Sequence, residues 1–85
     1  MKNFNYVVKD TLGLHARPAG LLVKEAGKFE STIMVHTKGK QANAKKLLAL
    51  MSLAVKQEDE VAVTIEGADE DVAAQAMEVF FQTNL

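Results

Sequence analysis

The sequence has no cysteine, only one proline, and no excess of charge of either sign. The lack of cysteine excludes disulfides, thiolate metal ligands and thiol nucleophiles. Ten basic and eleven acidic residues nearly cancel, so no overall field attracts nucleic acid or an anionic membrane. No apolar run approaches the roughly 18 residues of a membrane span, and none has the form of a signal peptide. We therefore expect a single cytoplasmic domain, residues 1–85, with no membrane insertion.

Alternation of apolar and polar residues predicts four half-buried strands. They lie around Phe4, Tyr6 and Val8, and at Thr32–Thr37, Lys40–Asn43 and Glu60–Glu66. Lys38-Gly39 has the composition of a hairpin turn between the second and third strands.

Helical spacing of apolar residues predicts three helices. The first runs from about Arg17 to Gly27, which is its expected C-cap, and the second covers about Lys45–Ala54. The third begins after Asp69, whose side chain is a suitable N-cap. The expected inner faces are Ala19, Leu22, Val23 and Ala26 on the first helix, Leu50 and Leu53 with Leu47 or Ala54 on the second, and Val72, Ala76, Val79, Phe80 and Thr83 on the third.

The predicted element order is β-α-β-β-α-β-α. Because the strands alternate in polarity, the sheet has one face in water, and all the helices must cover the other face. This predicts an α+β fold, a two-layer open-faced domain with a four-stranded antiparallel sheet and three helices on one face.

The stretch Gly13-Leu14-His15-Ala16-Arg17-Pro18-Ala19 carries the most specific chemistry in the chain. Proline favours the first turn of a helix, so His15 is expected at the helix start, beside backbone N–H groups that have no helical partner. Such N–H groups attract anions, and Arg17 adds a guanidinium. A neutral imidazole is also a good nucleophile near neutral pH. These residues together favour a phosphohistidine at His15.

Competing chemistry is scarce elsewhere in the chain. Neither serine lies in a nucleophile elbow, and no phosphate-binding Gly-x-x-x-x-Gly-Lys loop occurs. His15 and His36 fall on different predicted elements without a carboxylate at metal-ligand spacing, so no metal and no cofactor are predicted. A nucleic-acid patch of lysines is not favoured, because no aromatic residues are interspersed among them.

Leu12 to Ala19 resembles the active-site signature of the histidine-containing phosphocarrier (HPr) family of the bacterial phosphoenolpyruvate:sugar phosphotransferase system. The likeness covers the whole chain in length, in element order, in Gly39-Lys40 and in the stretch from Asn43-Ala44-Lys45 to Met51-Ser52-Leu53. The resemblance implies that enzyme I phosphorylates His15 and that His15 passes the group to enzyme IIA domains. It also implies that Ala16 and Arg17 steady the phosphoryl group, that the chain is a carrier rather than an enzyme, and that it is a monomer.

The resemblance further implies a partner surface formed by the first and second helices, rimmed by lysines and suited to an acidic partner groove. Its residues here are Gly20, Leu21 and Lys24, and Leu47, Leu48 and Met51. Two positions depart from the family pattern. Lys46 occupies the place of the regulatory serine found in many Gram-positive members, and Leu12 replaces a small polar residue.

Two other functions remain open at this point. One is an HPr-like regulatory paralogue that acts mainly through protein–protein binding. The other is a small hydrolase such as an acylphosphatase, which shares a similar element order but needs a phosphate-cradling loop. His15 favours the carrier over both.

Overall fold

A computed structural model describes all 85 residues of the chain and contains the seven predicted elements in the predicted order. They are β1 (Lys2–Val7), α1 (Ala16–Ala26), β2 (Thr32–Thr37), β3 (Lys40–Asn43), α2 (Leu47–Ser52), β4 (Glu60–Glu66) and α3 (Glu70–Asn84). The four strand predictions are confirmed, and so is Gly27 as the C-cap of α1. None of the three helices combines the length and apolar character that crossing a bilayer would require.

The sheet has the strand order β1-β4-β2-β3, and all neighbouring strands are antiparallel. Lys38 and Gly39 form the hairpin turn between β2 and β3, both with positive φ, as tight hairpin turns require. The outer strands β1 and β3 leave one edge free on either side of the sheet. The predicted α+β class with a four-stranded antiparallel sheet is therefore confirmed.

The three helices cover one face of the sheet and enclose the core. Alternate strand residues point into this core, including Ile33, Val35, Val63 and Ile65, none of which has any exposed surface. The opposite face is open, and there His36 Nε2 lies 3.1 Å from the hydroxyl of Thr64 on the neighbouring strand. Because α1 packs against both α2 and α3, it is the middle helix of the layer.

Helix α2 is shorter than its apolar spacing predicts, and its expected inner face was partly wrong. The side chain of Asn43 accepts a hydrogen bond from the N–H of Lys45 at 2.8 Å, and the residues just before Leu47 therefore form a turn rather than the first turn of the helix. At the other end Ala54 has a positive φ of 55° and cannot continue the helix. Leu50 and Leu53 are buried as predicted, but neither Leu47 nor Ala54 joins them, and both are exposed.

The buried face of α3 is displaced by one residue from the predicted one, about 100° around the helix. The buried residues are Ala73, Met77, Phe80 and Phe81, so Phe80 is buried as predicted, whereas Val72 and Val79 are 62% and 60% exposed. The cause is the size of the side chains. Phe81 fills the space beside β1, with its ring edge-on to Phe4 and Tyr6 at centroid distances of 5.6 and 5.8 Å. Two valines would leave that space empty.

Asp69 occupies the N-cap position of α3, but its side chain does not cap the helix. The carboxylate instead accepts hydrogen bonds from the N–H groups of Glu30 and Ser31, both at 2.9 Å, and from the Ser31 hydroxyl. Ser31 is fully buried, and these bonds, that of its hydroxyl first, hold the pKa of Asp69 below its usual value. The predicted capping role was wrong, because a long-range partner competes for the same oxygens.

Candidate functional site

The loop before α1 is built around Asp10. Its Oδ1 atom accepts the N–H of Leu12 at 2.8 Å, and its carbonyl accepts the N–H of Gly13 at 3.0 Å. A hydrogen bond from a backbone N–H to the side chain of an Asp two residues earlier defines an Asx turn, which Asp favours. The turn reverses the chain between β1 and α1.

Gly13 is the position where the loop meets the body of the domain. Its φ is +70°, and a Cβ atom there would lie 2.2 Å from the carbonyl oxygen of Val55 and 2.7 Å from Cα of Lys56. The next residue, Leu14, is buried and donates its N–H to the same Val55 oxygen at 3.1 Å. The backbone can approach this closely only because residue 13 has no side chain. The anchor fixes where His15 emerges.

His15 is the N-cap residue of α1, with an extended backbone and no side-chain capping bond. Its carbonyl accepts the first helical hydrogen bond, from the N–H of Ala19 at 2.9 Å, while its side chain is 31% exposed. The imidazole is therefore held at the helix start and remains open to solvent. This is the position that the sequence predicted for it.

The first turn of α1 presents unused hydrogen-bond donors. No group of the chain accepts the backbone N–H of Ala16 or Arg17, and Pro18 has no N–H to satisfy. Arg17 is exposed and forms no ion pair, and no acidic residue lies in this turn. The positive end of the helix dipole is thus uncompensated and is flanked by a free guanidinium. This turn is therefore suited to bind an anion.

Asp10 is the carboxylate nearest to His15 and was not singled out from the sequence. Its Oδ1 atom lies 3.8 Å from Nε2 of His15, too far for a hydrogen bond. Nδ1 of His15 makes no hydrogen bond within the protein. The only signal in the sequence was an Asp that begins a turn five residues before the histidine. No group of three or more potential metal ligands occurs in the chain.

The residues predicted to contact partners lie on adjacent helices, because α1 packs against α2. Leu48 is 81% exposed, and Leu21, Leu47 and Met51 are each about 40% exposed. Gly20 has open space where a Cβ atom would be, and Lys24 is exposed. We call the surface of Gly20, Leu21, Lys24, Leu47, Leu48 and Met51 the α1–α2 surface.

The two lysines before α2 have different surroundings. Lys45 donates from Nζ to the carbonyl of Phe29 at 2.7 Å and so ties the two loops together. Lys46 is the N-cap residue of α2, is exposed and has no ionic partner. Of these two lysines, only Lys46 therefore presents a free ammonium group. Leu12, in the loop before His15, is also 70% exposed, a feature that its departure from the family pattern alone did not reveal.

Comparison with known proteins gives matches over nearly the entire chain. The family model described as PTS HPr component phosphorylation site matches residues 2–83. The phosphocarrier protein HPr of Mycoplasma genitalium is 40% identical over 85 residues, which cover 99% of this chain and 97% of that protein.

Solved structures agree with this match. A structure of HPr from Thermoanaerobacter tengcongensis superposes with a TM-score of 0.92 at 41% identity, covering 98% of this chain and 93% of that one. The catabolite repression protein Crh of Bacillus subtilis, an intertwined dimer with a swapped domain, gives 0.78 at 38% identity, covering 100% and 98%. The fold is thus shared with these proteins, and the chain belongs to the HPr family of phosphocarrier proteins of the phosphotransferase system.

Proposed function

We propose that this protein carries phosphoryl groups on His15, accepting them from enzyme I and passing them to enzyme IIA domains. The observation that carries the proposal is the first turn of α1. A partly exposed imidazole lies there beside two backbone N–H groups without a partner in the chain and the free guanidinium of Arg17. The same turn contains no acidic residue that would repel a phosphoryl group.

The transfer step uses the two ring nitrogens of His15 differently. Nε2 faces Asp10 at 3.8 Å, whereas Nδ1 makes no hydrogen bond within the protein, so the lone pair of Nδ1 attacks the phosphorus of the donor phosphohistidine. The new N–P bond forms as the donor's N–P bond breaks, and the donor imidazole keeps the electron pair. The N–H groups of Ala16 and Arg17 and the guanidinium stabilise the charge on the phosphoryl oxygens. Transfer to enzyme IIA is the same step, with phosphorylated His15 as the donor and enzyme IIA as the acceptor.

A carrier must release its phosphoryl group as readily as it accepts it. Few donors hold the group here, and the site is open to solvent, so each partner completes it in turn. The α1–α2 surface supplies the docking area beside His15. Its exposed leucines and methionine suit an apolar groove, and Lys24 and Lys46 at its rim suit acidic partner residues.

Regulation by a serine kinase does not operate at position 46 in this protein. The residue there is Lys46, which has no hydroxyl to phosphorylate. Ser52, the nearest serine on α2, donates its hydroxyl to the carbonyl of Ala49 at 2.7 Å. We propose that the protein works as a cytoplasmic monomer committed to phosphoryl transfer.

The test is labelling with phosphoenolpyruvate and purified enzyme I. We expect one phosphate per chain that is stable in base and labile in acid, as a phosphohistidine is, and no label on His15→Ala. The matched control is His36→Ala, because His36 lies on the open face of the sheet and faces Thr64. Label that persists on His15→Ala, or disappears on His36→Ala with the fold intact, would contradict the proposal.

A second candidate is a regulatory paralogue that binds other proteins. The similarity to Crh, a protein described as acting in catabolite repression, is the observation that favours it. Complementation separates the two functions. A strain that lacks its own phosphocarrier regains growth on transported sugars if this chain is the general carrier. Failure to restore growth despite normal phosphorylation of His15 would favour the regulator.

A further inference from the structure

Strand β1 forms a free edge of the sheet on the side away from α2. The N–H of Val8 bonds to the carbonyl of Asp59 beside β4 at 2.9 Å, and antiparallel ladders alternate along a strand. Tyr6, Phe4 and Lys2 therefore direct their backbone groups towards β4. Asn3, Asn5 and Val7 direct theirs outwards, and no residue of the chain bonds to them.

This edge lacks the devices that usually protect one. The pairing of β1 with β4 is one-to-one from Lys2↔Ile65 to Val7↔Glu60, without a bulge, and the strand contains no proline. Its single lysine stands at the end of the strand rather than in the middle. An unprotected edge of six residues is a template on which another extended segment can pair.

A groove of about 410 Å³ runs along the same edge, between β1 and α3. Phe4 and Ala74 supply its apolar part, and Asp71, Gln75 and Glu78 form the wall on α3. The Asp71 carboxylate lies 3.2 Å from the ammonium group of Lys2, but Glu78 has no cationic partner in the chain. The wall therefore carries net negative charge and one unpaired carboxylate, and α3 contains no basic residue to offset it.

We propose that the β1 edge and this groove bind an extended peptide segment that carries an apolar and a basic residue two positions apart, on the same face of the strand. The segment adds a fifth strand to the sheet through the outward backbone groups of Asn3, Asn5 and Val7. Side chains on its helix-facing side enter the groove, where an apolar residue packs on Phe4 and a lysine or arginine reaches Glu78. Backbone pairing gives the affinity, and the acidic wall selects the sequence.

Charge argues against a second copy of this chain as the occupant. Antiparallel pairing of β1 with β1 of another molecule would place the two α3 helices side by side. Each would face the other with Asp71 and Glu78, and like charges across an interface are unfavourable. A basic segment has no such penalty.

Binding at this edge leaves the phosphoryl site free. Helices α1 and α2 carry His15 and the α1–α2 surface, whereas β1 lies on the opposite edge from α2 and β3. The proposal therefore adds a second binding surface to the fold and is independent of phosphoryl transfer. A segment bound here can travel with the protein while it exchanges phosphoryl groups.

The test is titration of the isotope-labelled protein with a capped synthetic peptide that carries valine and lysine two positions apart, separated by threonines, followed by backbone amide NMR. We expect shifts in β1 and in α3 around Gln75, with the signals of His15 to Lys24 unchanged. A peptide with glutamate in place of lysine should not bind. A lysine peptide that is N-methylated at alternate amides should also fail, because it cannot pair with the edge.

Two protein variants complete the test. Glu78→Gln should weaken binding about threefold, as expected for loss of one exposed ion pair, whereas Glu30→Gln, the same change outside the groove, should not. Equal binding of the glutamate or N-methylated peptide, shifts centred on α1 and α2, or no shift at all would overturn the proposal. Amide shifts in β1 on dilution of the protein alone would also overturn it, because a second copy would then be the occupant.

Discussion

His15 depends on its neighbours in the chain for its position. Gly13 and Leu14 anchor the loop on Val55, and Pro18 lies in the first turn of α1, where it has no donor to satisfy. The histidine itself makes no side-chain capping bond and only a distant contact with Asp10. The motif can therefore be interpreted from the sequence, because each of its residues acts within a few positions of His15. Asp10 could not be assigned in this way, because a turn brings it back towards the ring.

Gly13→Ala tests the anchor at the residue scale. The new Cβ atom would lie 2.2 Å from a backbone oxygen, so the loop must move, whereas Gly39→Ala has a similar φ of +77° and open space. Both variants carry the backbone cost of a left-handed alanine, about 1–2 kcal/mol. We expect Gly13→Ala to lose clearly more stability in urea unfolding and to slow phosphorylation by enzyme I. Equal losses in the two variants would show that the close approach at Val55 is unimportant.

At the scale of elements, the sequence predicted which segments are helical better than it predicted which face of a helix is buried. Strands alternate with a period of two, so one apolar set is opposite one polar set and the buried face is unambiguous. Helix α3 contains apolar residues on two adjacent faces, and its spacing fits both. Which of the two faces of α3 is buried depends on the shape of the sheet surface against which the helix packs. The space between α3 and the rings of Phe4 and Tyr6 on β1 requires a large side chain from the helix, and Phe81 supplies it.

Comparison of Phe81→Ala with Val79→Ala tests the assigned face. Phe81 is 1% exposed and should cost about 3–5 kcal/mol of unfolding free energy when truncated. Val79 is 60% exposed and should change it by no more than about 0.5 kcal/mol. Thermal or urea unfolding measures both. A larger loss for Val79→Ala would restore the face that apolar spacing alone predicted.

Leu48→Ala tests the role of α2 in partner binding. Leu48 is 81% exposed, so its truncation should leave stability within about 0.5 kcal/mol of wild type. If the α1–α2 surface is the docking site, the KM of enzyme I for this variant rises severalfold while kcat changes little. Val79→Ala is the matched control, since it removes an exposed apolar side chain from α3 instead. Unchanged KM for Leu48→Ala would remove this residue from the proposed interface.

At the scale of the whole molecule, long-range polar contacts join loops that are distant in the sequence. Asp69, before α3, accepts three hydrogen bonds from Glu30 and Ser31, which follow α1. Gly67 permits this approach, since a Cβ atom there would lie 2.6 Å from Cα of Ser31. Lys38, in the hairpin, contacts Asp59 at 2.8 Å, and that hydrogen bond is the main reason that the pKa of Asp59 is lowered. These contacts hold together loops that lie far apart in the sequence.

Asp69→Asn tests the tie to Ser31 through its pH dependence. Because the pKa of Asp69 is lowered in the folded state, chiefly by the Ser31 hydroxyl, its stabilisation is complete above the usual Asp value near 3.8. It is lost as pH falls through the lowered pKa. We expect Asp69→Asn to be less stable than wild type at neutral pH, with the difference closing in strong acid. The matched control is Asp71→Asn, which removes a carboxylate from the exposed first turn of the same helix and should cost less stability at neutral pH.

The amino-acid sequence by itself determined the order of the elements, the polarity of the sheet and the histidine at a helix start. Those features depend on spacing and on residues a few positions apart. Tertiary structure alone decided the buried face of α3, the true partners of Asp69, the position of Asp10 beside His15 and the open edge at β1. Each of these depends on which distant segments compete for the same space or the same hydrogen bond, and local sequence patterns cannot predict the outcome of that competition.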